Sequence, residues 1–485
     1  MTAPAAPVHR RTHLLDLLHE EHRASGWLSR DAVASVAARA GIPAAEAWEA
    51  ATSYPDFRFQ RPSGATPVCT GLSCRLSGAT AGPGEAGVGC RFRCYDAPAP
   101  GLDAAFLEER IILAGPLMAP DVDDWRGLDA ARGMTREGAL ALLDESGLRG
   151  RGGAYFRAGL KWSAAIAEQR PIALVVNAEE GEPGVFKDRA MLCRRPRRFL
   201  EGLAIAAHVL QPSEVIIFIN GEAEAALASL QMALAGSGDA LPSAPRIVRG
   251  GGGYVLGEET TLLNALEGRK PVPRLRPPYP VEAGYFGMPT VVNNVETLAN
   301  LSAIFREGAD AFRTQGTADV PGTKLYSVSG RIQRPGLYEL PMGTTVAELL
   351  RAAGGSVSGD VTAALVGGPS GGFLPPSEFE RPLLPGMVHP TGAITGAGGI
   401  VFLDETSDIR QSALAMAAFN AEESCGKCTP CREGSPRAAE ALMNGATGGL
   451  DDLLEVIQVA SLCGLGQMAP GPIRSALHFW PELFS

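Results

Sequence analysis

The chain has 485 residues, too many for one ordinary core, and its 45% hydrophobic content is that of a globular protein of three or four domains. The net charge of −10 argues against nucleic acid as the main partner. No apolar run approaches bilayer-spanning length, so no membrane span is expected, and the opening MTAPAAPVHRRTH lacks the apolar stretch of a secretory signal.

Glycine (59) and proline (37) are plentiful, but apolar segments keep recurring between them, which fits functional loops rather than disorder. Nine cysteines without an export signal are expected as metal ligands or isolated thiols, not disulfides. Eight fall into two groups of four; Cys193 stands alone and reads as an ordinary core or surface thiol.

Residues 12–53 read as short helices, with Leu14, Leu15, Leu17, Leu18 and then Val33, Val36 and Ala37 at helical spacing, and Ser29 as an N-cap. His9, His13, His19 and His22 are expected at ordinary polar positions on helix surfaces. Cys69 and Cys74, then Cys90 and Cys94, give C-x4-C followed by C-x3-C, with a Gly/Ala/Pro-rich stretch between the pairs. Four thiolates are the ligand set of a [2Fe–2S] centre; remnant thiols are the alternative. Residues 95–130 read as a Pro- and Asp-rich connector with one helix near Leu107–Leu113, and Thr135–Ser146 as a helix.

That helix feeds Gly147–Ser163, GLRGRGGAYFRAGLKWS, in which Gly150, Gly152 and Gly153 surround Arg151 and precede Phe156 and Lys161. Glycines let backbone amides approach an anion, Lys161 adds a charge for a phosphate, and Phe156 adds a flat apolar face. The spacing is not G-x-G-x-x-G, since position 155 is Tyr, and a simple turn is the alternative. A helix follows over Lys161–Gln169, then PIALVVN at 171–177 reads as a buried parallel strand. It ends in NAEEGEPGVFKDR, polar residues at a strand's carboxyl end, where open α/β sheets bind ligands; an acidic surface loop is the alternative. RRPRR at 194–198 reads as solvated surface.

VIIFIN at 215–220 is a second buried strand, Glu222–Leu234 a helix, and Arg246–Val248 a third strand leading into GGGGYVLGEETTLLNALEG. There a helix opens below a Gly-rich turn, an arrangement suited to a phosphate. Arg274–Tyr285 reads as a loop, and PTVVNNVETLANL follows it. Residues 321–402 alternate strands with a Pro-Gly turn and one helix after Thr344; VGGPSGGF at 366–373 reads as a turn. After a helix at Ile409–Ser424, Cys425, Cys428 and Cys431 form C-x2-C-x2-C, with Cys463 far along the chain. Four such thiolates close a [4Fe–4S] cube; a four-cysteine zinc site is the competing reading.

These motifs, in this order, resemble the family of flavoprotein (diaphorase) subunits shared by respiratory complex I, NAD-reducing hydrogenases and NAD-linked formate dehydrogenases. The family reads GRGGAGFPTGLKW where this chain has Tyr155, Arg157 and Ala158 in place of Gly, Pro and Thr. Its NADE-x-EPG pattern appears here with Glu179 for the usual Asp, and ESCGKCTPCREG is its cluster motif nearly unaltered. The N-terminal segment resembles the helical start of the thioredoxin-like [2Fe–2S] subunit of complex I.

The resemblance implies a multidomain α/β chain: a shortened thioredoxin-like [2Fe–2S]-type domain (1–98), a Rossmann-like FMN/NAD domain (99–315), a β-grasp domain (316–404) and a helical [4Fe–4S] bundle (405–485). It implies that Gly150, Arg151, Gly152, Gly153, Phe156 and Lys161 form the nucleotide loop, and that Asn177 and Glu179 touch the flavin. Glu180 and Glu182 line the nicotinamide side as positioning rather than acid–base residues. Gly257, Glu258 and Glu259 flank the isoalloxazine, Tyr254 lies by the nucleotide, and Tyr279 holds the place of an adenine-stacking aromatic. Asn293, Asn294 and Thr297 match positions that bond the FMN phosphate and ribityl chain.

The implied cofactors are FMN, NAD(H), a [4Fe–4S] cluster and, where the N-terminal cysteines hold one, a [2Fe–2S] cluster. Fusion of the thioredoxin-like segment favours a cytoplasmic formate dehydrogenase, with a molybdopterin large subunit and small iron–sulfur subunits as partners. An NAD-reducing hydrogenase comes second and complex I third. The reading of another class is a non-redox zinc- and nucleotide-binding module.

Overall fold

In a computed structural model, which describes residues 10–62, 64–99, 104–122 and 124–484, the N-terminal helices are Leu14–Ser25, Arg30–Ala40 and Ala44–Ala51. Ser29 Oγ accepts the Ala32 N–H at 3.0 Å, the expected N-cap. The apolar faces of these helices do not form a separate core. Leu14, Leu18, Val33 and Val36 pack with Ala173, Val175, Ile216 and Phe218 of a parallel sheet. His19 is accordingly buried, with Nε2 2.7 Å from Gly250 O, rather than on the helix surface; His9 lies outside the described residues. Two short parallel strands follow, β1 (Thr66–Cys69) and β2 (Glu85–Val88).

The expected helix near Leu107–Leu113 is instead a single 3-10 turn, Glu108–Arg110, leading into strand β3 (Ile111–Leu113). The arginines of 194–198 are not a solvated patch either. Arg195 is buried and donates to Met118 O at 2.8 Å and to Glu108, while Arg194 and Arg198 reach the carbonyls of Phe106 and Pro116. Three like charges close together are stable there because each faces the connector's backbone oxygens or a carboxylate.

The parallel sheet has strands β4 (Ala173–Ala178), β5 (Glu214–Ile219), β6 (Arg246–Arg249) and β7 (Thr290–Asn294), in the order β6-β5-β4-β7. Alternate residues serve opposite layers, as a pleat requires. Ala173 and Val175 meet the N-terminal helices, while Leu174 and Val176 meet the layer containing helices Pro196–Leu210 and Val295–Glu307. The chain leaves β4 for β5 and β6, then returns to β4's other side as β7. This strand-order reversal opens a crevice at the carboxyl ends of β4 and β7, where Asn177 pairs in register with Asn294.

The second sheet is mixed: β8 (Thr323–Gly330), β9 (Gly336–Pro341), β10 (Val361–Val366), β11 (Gly372–Leu374) and β12 (Gly399–Asp404), with β3 on its edge, ordered β11-β10-β12-β8-β9-β3. Helix Val346–Ala352 covers one face and opens on a capping box between Thr345 and Glu348. The other face, through Ala363, Leu365 and Phe373, packs on the C-terminal helices, among them Ile409–Glu422, Thr429–Met443, Leu450–Ala460 and Pro470–Phe479. Among the described residues no helix is long and apolar enough to cross a membrane.

Candidate functional site

The glycine loop folds back on itself, Gly150 N–H donating to Phe156 O at 2.8 Å, at the mouth of the β4/β7 crevice. A Cβ on Gly152 would stand 3.1 Å from Asn294 Cβ, so a side chain there would crowd the crevice. Tyr155 takes φ +53, the left-handed conformation that glycine adopts without cost, and its hydroxyl turns away to donate to Gly396 O at 2.9 Å. Arg151 is fully buried, its guanidinium donating to Pro321 O (2.6 Å), just before β8, and to Thr323 O (3.1 Å), the first residue of β8. Its side chain thus ties the loop down, leaving its backbone nearer the crevice. Its N–H donates to Thr297 Oγ1 at 2.8 Å. Phe156 and Tyr279 both stand about half exposed on the outside.

Lys161, on helix Ala158–Ala167, pairs with Glu259 at 3.2 Å and also donates to Val292 O. Asn177 Nδ2 donates to Gly257 O at 2.8 Å, linking the end of β4 to the turn that opens helix Glu259–Leu266. The Glu258 carboxylate caps that helix through the Thr260 and Thr261 amides, so the helix end is already occupied by an anion. Asn293 Oδ1 accepts Trp162 Nε1–H at 2.9 Å, and Asn294 bonds both Asp188 and Lys187.

The acidic residues after β4 have divergent tasks. Glu180 caps helix Lys187–Arg194, accepting the Asp188 and Arg189 amides at 2.7 and 3.1 Å. Glu179 accepts from Asn220 Nδ2 at 2.6 Å, while its Oε2 is buried without a hydrogen-bond partner. Glu182 Oε1 is likewise buried and unpartnered, beside the 367–371 turn. Burial pushes the carboxyls of Glu179 and Glu182 up to about 8 and that of Glu180 to about 7. Unsatisfied buried oxygens beside a glycine-lined crevice fit a polar ligand such as a flavin nucleotide.

Sequence reasoning missed a buried ion network beside the loop. Glu296 Oε2 lies 3.1 Å from Lys187 Nζ and 3.3 Å from Lys324 Nζ, and Lys324 also donates to Arg151 O at 3.2 Å. Lys187 and Glu296 lie inside the quoted motifs; nothing in the pattern around Lys324 marks it.

The cysteines gather in two places. Cys90 and Cys94 Sγ stand 3.5 Å apart, and thiols of Cys74 and Cys90 bonding to Cys69 hold the Cys69 thiol well below its usual range. Cys425, Cys428, Cys431 and Cys463 line one small pocket, walled otherwise by residues including Val255, Pro273, Leu462 and Leu465. Burial raises the Cys463 thiol to about 11 and raises Cys425 and Cys431 too. Four thiols in apolar walls are the donor set of an iron–sulfur cube and of a four-cysteine zinc site alike.

A crevice at the carboxyl ends of a doubly wound sheet, beside a pocket lined by four thiols, is the arrangement that a flavo-iron–sulfur electron-transfer protein requires. Comparison with known proteins gives the family. Residues 143–303 match the Nuo51 FMN-binding domain and residues 411–485 the NADH-ubiquinone oxidoreductase-F iron-sulfur binding region. Residues 3–83 match the thioredoxin-like [2Fe-2S] ferredoxin family and 325–374 the SLBB domain.

The NADH-quinone oxidoreductase F subunit of Aquifex aeolicus is 39% identical over 380 residues, covering 74% of this chain and 88% of its own. The second F subunit of Rhizobium meliloti is 39% identical over 382 residues, covering 74% of this chain and 91% of its own. The crystal structure of an NAD+-reducing [NiFe]-hydrogenase in the air-oxidized state contains a chain 31% identical, with a TM-score of 0.85, covering 98% of this chain and 94% of that one.

The chain therefore belongs to the family of NADH-quinone oxidoreductase F subunits and the diaphorase chains of NAD-reducing hydrogenases. It is an FMN- and iron–sulfur-dependent oxidoreductase subunit with a thioredoxin-like [2Fe–2S] segment, as the motifs imply.

Proposed function

We propose that the chain is the NAD(H)-handling diaphorase subunit of a cytoplasmic complex built like an NAD-reducing hydrogenase. The observation that carries this is the likeness to that enzyme's chain over 98% of the present one, N-terminal segment included. The F subunits match only 74% of it. Its partners are a catalytic subunit and small iron–sulfur subunits. A formate-oxidising molybdopterin subunit is the reading suggested by the fused N-terminal segment; none of the relatives named above is a formate dehydrogenase, so the hydrogenase-type partner has the better support.

Bound FMN supplies the conversion between a two-electron hydride and single electrons. The chain's own residues position the partners. Gly150, Gly152, Gly153 and Lys161 receive the phosphate side, and Asn293, Asn294 and Thr297 the phosphate and ribityl hydroxyls. Asn177, Glu179, Gly257, Glu258 and Glu259 border the ring, with Tyr254 behind. Glu182 holds the nicotinamide face, Glu180 supports it from behind by capping helix Lys187–Arg194, Tyr279 receives the adenine and Phe156 gives the nucleotide loop an apolar face. Cys425, Cys428, Cys431 and Cys463 hold the cube. Cys69, Cys74, Cys90 and Cys94 hold the second cluster.

The reconstituted chain is expected to be coloured and to reduce a dye with NADH; a colourless, zinc-loaded and inactive protein would reject the proposal in favour of a non-redox module. Co-purified with its neighbouring subunits, the chain is expected to support NAD+ reduction by H2. Reduction by formate alone would move the assignment to a formate dehydrogenase.

A further inference from the structure

Tyr254 is a meeting point of three parts of the molecule. Its backbone N–H donates to Glu423 Oε2 at 2.7 Å, its ring stands edge-on to Phe419 at 5.5 Å, and its hydroxyl contacts Ser370. Asn420, on the same helix as Phe419, fastens to Pro369 O at 2.9 Å. The next residue, Val255, lines the pocket of the four C-terminal cysteines. On its other side, Gly250 closes over Glu179, whose Oε2 would lie 2.3 Å from a Cβ placed there. Glu423 stands two residues before Cys425. One carboxylate therefore joins the glycine-rich turn at the nucleotide crevice to the segment carrying three of the cluster ligands.

The two segments come from different layers, and a hydrogen bond to a carboxylate is about twice as strong as one between neutral groups. Transfer of an electron between two centres falls steeply with their separation, so a contact that fixes that separation governs the hand-off.

We propose that Glu423 is a positioning residue: through the Tyr254 N–H it holds the glycine-rich turn against the cysteine-bearing segment and so sets the rate at which electrons pass between nucleotide site and cluster. This rests on the diaphorase reading above. Glu423 is not among the residues assigned above to either cofactor; its effect is exerted through the backbone of residues 253–255.

The test uses the full chain, loaded with FMN and iron. In Glu423→Ala, NADH is expected to bleach the flavin absorbance at the wild-type rate, while the cluster's paramagnetic signal, followed by freeze-quench, grows in several-fold more slowly. Hydrogen–deuterium exchange in the 253–256 segment is expected to accelerate about tenfold, the factor that corresponds to losing one hydrogen bond to a charged group. Glu423→Gln keeps a carbonyl acceptor and is expected to restore most of both.

Wild-type cluster kinetics in Glu423→Ala, or equal defects in the Ala and Gln variants, would overturn the proposal. Should the Ala variant fail to take up its cluster, exchange measured on the cofactor-free chains decides, and unchanged protection at Tyr254 would overturn it. A wild-type chain that NADH does not bleach would sink the diaphorase reading instead, and the exchange measurement would still judge the clamp.

Discussion

Glu296 lies wholly buried between two lysines and accepts the Leu325 N–H at 2.8 Å. Removing one partner of such a network leaves uncompensated charge in the interior. Glu296→Ala is expected to cost about 3–5 kcal/mol in urea unfolding of the cofactor-free chain. Glu179 has the opposite problem, a carboxyl buried with the charge of Asp56 nearby, so that its affinity for a proton rises from 4.5 to about 8. The folded chain holds this proton where the unfolded chain has released it. The stabilising contribution is thus full below 4.5 and is lost as pH climbs through about 8. Asp56, raised to about 7 by its own burial, acts in the same direction. The urea midpoint is expected to fall across this window, and Glu179→Gln to flatten the fall; an unchanged slope would refute the assignment. At this scale the sequence shows residue type and little more. Glu180 reads as a site acid, yet both its oxygens cap a helix, and Arg151 reads as a ligand residue, yet its guanidinium faces another layer. Nothing local to Lys324 marks its burial, because its partners lie 28 and 173 positions away.

Helices Pro196–Leu210 and Val295–Glu307 pack so closely that a Cβ on Gly202 would stand 1.9 Å from Leu298 O. Gly202→Ala must push the two apart, and a loss of about 1–3 kcal/mol is expected, read from the same unfolding curve. A helix-propensity argument alone gives the opposite sign, since alanine is the better helix former. The buried strands were legible, because PIALVVN and VIIFIN are continuous apolar runs of strand length. Two elements were not. Glu-Glu-Arg followed by Ile111, Ile112 and Leu113 has no period that separates helix from strand, and pairing with β9 decides it. RRPRR has the composition of a surface, and only the carbonyls of a connector some 80 residues earlier turn it inward.

The cofactor plan of the whole molecule was the most legible part: thiolate spacing, set by cluster chemistry, marked two four-cysteine sites, and the motif resemblance supplied FMN and NAD(H). Cys463→Ser removes the one C-terminal ligand supplied from a distance; the variant is expected to keep flavin absorbance, lose the cube's signal and pass no electrons onward. Cys69→Ser is expected to lower iron from about six to about four per chain, by the content of the two cluster types; an unchanged iron count would mean the N-terminal thiols are empty. What the motifs did not reveal is how the layers are stitched together. Strand β3 leaves the connector to edge the second sheet, and Glu339 of β9 accepts the amides of Gly115, Leu117 and Met118 at 2.8–2.9 Å. These partners are 221 to 224 positions apart. During synthesis on a ribosome these three amides therefore stay without their carboxylate until β9 emerges. The SLBB sheet is consequently no removable cassette: excising 321–402 would strip β3 of its pairing edge, and a truncated transcript ending before β9 would release a product with that strand unpaired.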